Sequence, residues 1–429
     1  MKIKIISLGC SKNLMDSQTA MTFLVRNGHS FVDDPNDAEA ILINTCAFIN
    51  DAKDESINTI LEMSDYKENK CQKLVVMGCL AQRYKEELET EIPEVDRFIS
   101  ITEYNHLEEI LVEELGVVEK KNCDLVLATH PWSAYLRIAD GCNNKCAFCA
   151  IPLIRGKYKS VPMEELLAQA NQLLKLGVKE LNLIAQDSTK YGYDLYHEFR
   201  LKDLLSELNK LDFHWIRILY MYPDELSDEL IEHISKLDKV LPYFDIPVQH
   251  GSDRLLKSMR RAGDSKRIKE IIAKVRSTFS ESTLRTTLIV GFPTEDEKDF
   301  EQLLDFVSDS KWDRLGAFKY SLEENTEAYN LSPRVPENTA SERFDKLMTL
   351  QQGILEKESQ RFLGTIQEVL IEGKDALRNI YQGRSKHHAP EGIDGKVVFN
   401  STERLELGSF VNVKITKTKN YDWYGEAII

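Results

Sequence analysis

Three thiols fall within one short stretch, Cys142-Asn143-Asn144-Lys145-Cys146-Ala147-Phe148-Cys149, a CxxxCxxC spacing with an aromatic residue just before the last cysteine. Three is the informative number. A four-iron cube is normally held by four thiolates, so a triplet leaves one iron with an open position at which a substrate or cofactor can bind. The same triplet could supply three of the four ligands of a structural zinc site, where CxxC pairs recur. The chain contains no second CxxC to complete such a site.

Three further cysteines share a local context: Leu8-Gly9-Cys10, Asn44-Thr45-Cys46 and Met77-Gly78-Cys79. Each follows an apolar run that reads as a strand. Strand patterns at 3–8, 40–44, 73–77 and 97–99 alternate with helix-periodic stretches at 14–27, 52–63, 81–89 and 104–115, which predicts a parallel sheet with right-handed crossovers. Parallel strands carry their C-terminal ends along one edge, where open α/β sheets bind ligands. Thiols distant in sequence can therefore converge there as a second three-thiolate site. Free cysteine is also a common small core residue, but three at equivalent strand ends favour the site. Cys71, in a polar stretch, and Cys123, in a linker, lack that placement and are read as non-ligands.

The CxxxCxxC triplet needs its own scaffold. After a linker at 116–133, strand patterns at 134–138, 180–185, 215–219, 243–248, 284–290 and 315–320 alternate with helices near 163–176, 201–210, 226–237, 265–280, 296–310 and 341–361. Six βα units predict an open, partial barrel with its reactive groups beyond the C-terminal strand ends. The triplet follows the first strand. The other ends carry Gln186-Asp187, Tyr220 and Tyr222, Gln249-His250, Gly291-Phe292-Pro293 and Tyr320-Ser321, polar groups that suit an amphipathic ligand but that loops also place at random.

From about 362 the pattern changes to short strands at 366–371, 376–381, 396–399, 410–416 and 423–428 separated by turn residues, a small antiparallel barrel of the oligonucleotide-binding type. Lys414, Lys417 and Lys419 lie near Tyr421, Trp423 and Tyr424. These aromatics could stack on RNA bases or fill the barrel core. The fold class is thus α/β, with an N-terminal parallel-sheet domain at 1–117, a partial (β/α)6 barrel at 128–360 and a C-terminal β-barrel at 362–429.

The chain has 429 residues and eight cysteines. No apolar run is long enough to span a bilayer and no signal peptide is evident, so a cytoplasmic location without membrane attachment is expected. In a reducing compartment the thiols are ligands or inert rather than disulfides. The 55 basic and 70 acidic residues give a net charge of −15. Residues 1–127 hold 13 Lys and Arg against 24 Asp and Glu, whereas 365–429 hold 9 of each. Such a surface repels phosphate backbones and attracts basic proteins; it also simply keeps a protein soluble.

The CxxxCxxC triplet with its aromatic resembles the signature of the radical S-adenosylmethionine (radical SAM) enzymes, and the whole chain resembles the methylthiotransferases, which carry a three-cysteine domain, a radical SAM core and a TRAM barrel in that order. The resemblance implies that Cys10, Cys46 and Cys79 hold an auxiliary 4Fe-4S cluster. By the same resemblance, Cys142, Cys146 and Cys149 hold the radical SAM 4Fe-4S cluster, with Phe148 lying against the adenine of S-adenosyl-L-methionine. Gln186 and Gln249 are further candidates for contacts to that cofactor. Similarity to the branch that modifies an aspartate of the twelfth small-subunit ribosomal protein rests on Ser7-Leu8-Gly9-Cys10-Ser11-Lys12-Asn13-Leu14-Met15-Asp16-Ser17, Asn44-Thr45-Cys46-Ala47-Phe48-Ile49, Cys149-Ala150-Ile151-Pro152 with Arg155-Gly156-Lys157, Ile184-Ala185-Gln186-Asp187, Tyr243 to His250, and Tyr320-Ser321 with Glu323-Glu324. Ser11 replaces a common Pro, and Thr294 a frequent Gly.

The implied reaction replaces a C–H of the aspartate β-carbon by C–S–CH3. One S-adenosylmethionine methylates a sulfur held at the auxiliary cluster, a second is cleaved reductively to a radical that takes the hydrogen, and no side chain serves as acid or base. A basic ribosomal protein, free or assembled, is the implied partner, with an electron donor of flavodoxin or ferredoxin type, and the protein is expected to be a monomer. Two alternatives stay open at this level: a tRNA adenosine methylthiotransferase with the same domains, and a non-enzymatic metal-binding protein.

Overall fold

The structure, a computed structural model, describes residues 1–123, 125–375 and 378–429. Its N-terminal part is a five-stranded parallel sheet of β1 (Lys2–Ser7), β2 (Ser30–Phe31), β3 (Ala40–Thr45), β4 (Lys73–Gly78) and β5 (Arg97–Ile99), in the order β2-β1-β3-β4-β5. β3 lies in the middle and every residue of it is buried, as a strand covered on both faces must be. Ile41 and Ile43 pack with Leu74 and Val76 on one face, while Ala40 and Leu42 pack with Val75 and Met77 on the other. The two-residue edge strand β2 has too little pattern to be read from sequence.

The central part has six barrel strands: β6 (Ser133–Arg137), β9 (Glu180–Ile184), β10 (Trp215–Ile218), β11 (Tyr243–Asp245), β12 (Thr283–Val290) and β13 (Arg314–Lys319). Between β6 and β9 a small antiparallel pair intervenes, β7 (Ala139–Asp140) with β8 (Lys159–Ser160). The barrel strands form two parallel sheets, β10-β9-β6 and β11-β12-β13, joined by a bridge between Ile216 and Val240. Alternate residues Leu181, Leu183, Ile216, Ile218 and Phe244 face the surrounding helices. Their neighbours Tyr135, Ile184, Trp215 and Tyr243 form a separate inner cluster. The pair β7/β8 and the short helices Ile151–Arg155, Tyr193–Tyr196 and Asp253–Ser258 were not expected; each is too short to show a period.

The C-terminal barrel is closed in the order β14-β15-β16-β18-β17, from β14 (Ile366–Asp375), β15 (Ile380–Ser385), β16 (Val397–Asn400), β17 (Phe410–Lys419) and β18 (Asp422–Ile428). The expected strand start at Ala376 and Leu377 lies outside the described residues. The expectation of a wholly antiparallel barrel is corrected at one place: β16 pairs with β18 in parallel, because closure brings together strands that are not consecutive. Trp423 is fully buried against Phe362 and His388, and the Tyr421 hydroxyl donates to Leu315 O of the central part. These two aromatics are packing residues.

A buried charge cluster joins the two barrels. Glu180, at the start of β9, accepts from Ser133 Oγ at 2.8 Å, from Arg217 at 3.1 Å and from Arg384 of β15 at 2.5 Å. Arg217 also donates to Lys386 O at 3.0 Å, Tyr243 donates to Asp394, and Arg285 pairs with Asp245 at 2.7 Å. The segment after β15 thus plugs the end of the partial barrel at which β9 begins. Burial pushes the Glu180 carboxyl up, but Arg384 and Arg217 outweigh it and hold the group down to about 2.

A group depressed in this way stabilises the fold above the ordinary carboxyl range and loses that contribution as pH falls toward 2. Glu180→Ala leaves Arg217 buried without its carboxylate and Arg384 with Glu372 alone, and is expected to cost about 3–5 kcal/mol. Urea unfolding at neutral pH checks the size. Glu180→Gln is expected to flatten the loss of stability between about pH 4.5 and 2, the interval over which the native carboxylate accepts its proton.

Candidate functional site

At the C-terminal edge of the N-terminal sheet, three of the five strands, β1, β3 and β4, turn through a cysteine toward a helix. Cys10 directly precedes the helix Ser11–Arg26, and Cys79 begins the helix Cys79–Glu91, positions where the helix dipole favours a thiolate. Glycine is required at two of these turns. Gly9 has φ +87° and a Cβ there would stand 2.8 Å from Cys46 Cβ; Gly78 has φ +106° and its Cβ would meet Asn44 Oδ1 at 2.3 Å and Thr45 O at 2.5 Å. Asn13 ties the edge together, donating to Leu8 O at 3.1 Å and Thr45 O at 2.8 Å. Its Oδ1 accepts from the Cys79 thiol at 3.4 Å. Cys10 is exposed, and Cys46 and Cys79 are buried.

The second triplet lies beyond β7 at the rim of the partial barrel. Its loop is pinned by its backbone: Cys142 N donates to Gly156 O at 3.1 Å, Ala147 N to Met259 O at 2.9 Å, and Ala328 N to Ala147 O at 2.8 Å. Arg261 Nη1 stands 3.6 Å from Cys146 Sγ and its guanidinium covers the Tyr222 ring at 3.8 Å. The Tyr222 hydroxyl lies 3.7 Å from the same sulfur. Phe148 packs against an apolar cluster containing Ala147, Met259 and Phe292.

The two edges face each other across a buried set of charges. Arg155, in the helix that follows Cys149, sends Nη2 to Asn13 Oδ1 and Asp16 Oδ2, each at 2.7 Å, and to Cys79 Sγ at 3.8 Å. Its Nη1 donates to Asp140 Oδ2 at 3.2 Å, and Asp140 Oδ1 accepts from Gly141 N at 2.9 Å. Arg137 pairs with Asp16 at 2.5 Å. Lys12, beside Cys10, is buried with its ammonium 2.8 Å over the Tyr220 ring; burial lowers it to about 8 against the opposing pull of Cys10 and Asp245. Farther out, Arg83 pairs with Glu323 at 2.6 Å and Tyr84 donates to Glu324 at 2.7 Å, which gives the Tyr320 to Glu324 motif a docking role.

Burial pushes the Cys79 thiol up to about 12 and the Cys142 thiol up to about 11, and pushes Cys46 and Cys149 up as well. Neighbouring cysteines of the same triplet add to each rise. Such thiols ionise only when a cation compensates them, so the donor chemistry fits a thiolate-bound, highly charged group. Among the described residues no group of three or more His, Cys, Asp or Glu side chains is drawn together closely enough to hold a metal ion as it stands.

The remaining candidates divide. The Gln186 amide donates to Asp140 at 2.6 Å, while its buried Oε1 has no protein partner. Gln249 adopts φ +76° and is fixed at the rim by backbone bonds to Thr287 and Ile289. His250 is fully buried, accepts from Ser252 N and lies 3.7 Å from Glu295, a packing role. Cys71 donates to Lys73 O at the start of β4, the opposite end from Cys79. Arg155, Arg261, Asp16 and Asp140 were missed as site residues; a charged side chain six residues beyond the last cysteine was the available signal.

A cavity of about 790 Å3 opens beside Cys10, where all three parts meet; Ser7, Leu14, His130, Tyr135, Glu391 and Lys396 are among the residues lining it.

Comparison with known proteins agrees with this architecture. Residues 2–100 match the uncharacterized protein family UPF0004, residues 136–307 the radical SAM superfamily and residues 363–428 the TRAM domain. Among solved structures, the radical S-adenosylmethionine methyltransferase TsrM from Kitasatospora setae superposes with a TM-score of 0.54 at 11% identity over 76% of each chain, a likeness of fold. The fold and these matches define a radical SAM enzyme with an added N-terminal sheet and a TRAM barrel, and the superfamily implies S-adenosylmethionine and a 4Fe-4S cluster. Ribosomal protein uS12 methylthiotransferases RimO align along the whole length: that of Alkaliphilus oremlandii is 46% identical over 99% of both chains. The homologue from Acetivibrio thermocellus is 44% identical over 100% of this chain and 98% of its own, and that from Aquifex aeolicus 44% over 99% and 97%. The chain belongs to the RimO family of methylthiotransferases.

The thiol environments order their reactivity. In metal-free protein near pH 8, iodoacetamide is expected to alkylate exposed Cys10 first and Cys79 and Cys149 last. The rates at Cys142 and Cys79 are expected to rise about tenfold per pH unit up to about pH 10, because the thiolate fraction does so below the pKa. Peptide mass spectrometry of timed samples checks the order.

Proposed function

We propose that the protein transfers a methylthio group to the β-carbon of an aspartate in ribosomal protein uS12. The observation that carries this reading is the pair of cysteine triplets, from separate sheets, set on either side of Arg155. Cys10, Cys46 and Cys79 would hold an auxiliary 4Fe-4S cluster, and Cys142, Cys146 and Cys149 the radical SAM cluster, each with one iron free of protein. The clusters and S-adenosylmethionine would supply the sulfur, the methyl group and the hydrogen-abstracting radical. The protein's share is position and exclusion of water.

Phe148 offers an apolar face for the adenine, and Gln186 and Gln249 offer polar groups at the same rim. No side chain serves as acid or base: a β-carbon beside an ionised carboxylate is too weakly acidic for proton removal to be a workable first step. The cavity beside Cys10 admits a polypeptide segment, and the acidic excess of residues 1–127 complements a basic ribosomal protein and speeds encounter. The chain acts as a monomer in the cytoplasm, reduced by a flavodoxin- or ferredoxin-type donor. Its working units are an auxiliary-cluster domain at 1–117, a radical SAM core at 128–360 and a TRAM domain at 362–429.

Anaerobic reconstitution tests the division of labour. Replacing Cys10, Cys46 and Cys79 by Ala is expected to halve bound iron and sulfide and abolish methylthiolation of uS12, while dithionite still drives formation of 5'-deoxyadenosine. Replacing Cys142, Cys146 and Cys149 is expected to stop that cleavage altogether. Modification of tRNA in place of uS12, read by mass spectrometry, would overturn the substrate assignment.

A further inference from the structure

The guanidinium of Arg155 touches Cys79 of one triplet and Asp140, two residues ahead of the first cysteine of the other. It closes the helix Ile151–Arg155, directly after Cys149, yet its Nη2 reaches Cys79 Sγ, Asn13 and Asp16 of the N-terminal sheet. Its Nη1 reaches Asp140, whose other oxygen holds Gly141 N, the residue before Cys142. The side chain is 2% exposed. Arg261 stands in the same relation to Cys146 at 3.6 Å, so each triplet has one buried guanidinium directed at one sulfur. Only a planar fork serves four such acceptors together; an ammonium on a flexible stem does not fix them.

We propose that Arg155 is a positioning residue for both centres: through Cys79 it makes the auxiliary centre easier to reduce, and through Asp140 it sets the first cysteine of the CxxxCxxC loop relative to that centre. The proposal rests on the two-cluster reading above. An added electron makes an iron-sulfur centre more negative, and N–H donors and positive charge at its sulfurs favour that state and raise its potential. Asp16 supports the arrangement by accepting from Arg155 and Arg137 together, which locks the guanidinium in place.

The test uses the full-length chain with Cys142, Cys146 and Cys149 replaced by Ala, so that only the N-terminal triplet is loaded with iron and sulfide. Its one-electron midpoint is followed by electron paramagnetic resonance during dithionite titration. Arg155→Gln is expected to bind the same iron and to weaken reduction about tenfold, about 59 mV for a one-electron couple; Arg155→Lys, which keeps the charge without the fork, falls between. In the six-cysteine chain, Arg155→Gln is expected to raise the ratio of 5'-deoxyadenosine to methylthio product. An unchanged midpoint and line shape in Arg155→Gln overturns the proposal. Should Arg155→Gln fail to retain iron, Arg155→Lys decides, and a midpoint identical to that of Arg155 overturns it. If the chain with Arg155 intact takes up no cluster at the N-terminal triplet, the two-cluster reading falls first and this inference with it.

Discussion

Two parallel sheets that present their C-terminal edges to one another must fill the seam with something other than backbone, because strand ends leave polar groups directed into the gap. Here the seam is filled by Asp16, Arg137, Asp140 and Arg155, a set that is neutral in sum. Removing charges from water is expensive, and such a set is stable only when every member is paired with good geometry. Asp16 accepts from two guanidiniums, and Asp140 from Arg155, Gly141 and Gln186. The network contributes little to net stability compared with an apolar seam. What it supplies is a fixed register between two edges, which apolar contact would let slide.

The opposite end of the partial barrel is closed by different means. Six strands leave a barrel open along one side and hollow at the base, and Glu180, Arg217, Tyr243 and Arg285 project inward there. The segment after β15 brings Arg384, Lys386 and Asp394 to them. With Trp423 in the core and Tyr421 against β13, the TRAM barrel is a structural wall of the central part before it is a binding module. The same wall bounds the cavity beside Cys10 through Glu372, Arg384 and Glu391. The approach to the N-terminal triplet is therefore shaped by all three parts together.

Legibility from sequence followed the strength of the period. The long buried strands β3, β4, β9 and β12 and the amphipathic helices after them were readable, since burial on two faces or one leaves a run of apolar residues. The placement of Cys10, Cys46 and Cys79 just past strand ends was readable because strand-end position is a local feature. Short elements such as β2, β7 and the helix Ile151–Arg155 carry no period, and the parallel pairing of β16 with β18 depends on closure of the whole barrel. The charged seam was also hidden: Asp16 and Arg155 lie 139 positions apart, and although each falls in a motif, nothing local shows that they pair. The partner that occupies the Gln186 amide likewise depends on the β7 hairpin.

The thiols themselves explain why the seam carries a positive charge at Cys79 and Cys146. Burial raises Cys46, Cys79, Cys142 and Cys149, so the metal-free edges favour protonated sulfur and must release protons on loading, which couples cluster binding to pH and to folding. Arg155 offsets part of the rise at Cys79 and Arg261 part of it at Cys149, neither acting as a ligand, since arginine offers only donors. Arg155 and Arg261 are held beside these thiols by their own carboxylate and aromatic partners, and under the two-cluster proposal they would favour a negatively charged centre at each edge.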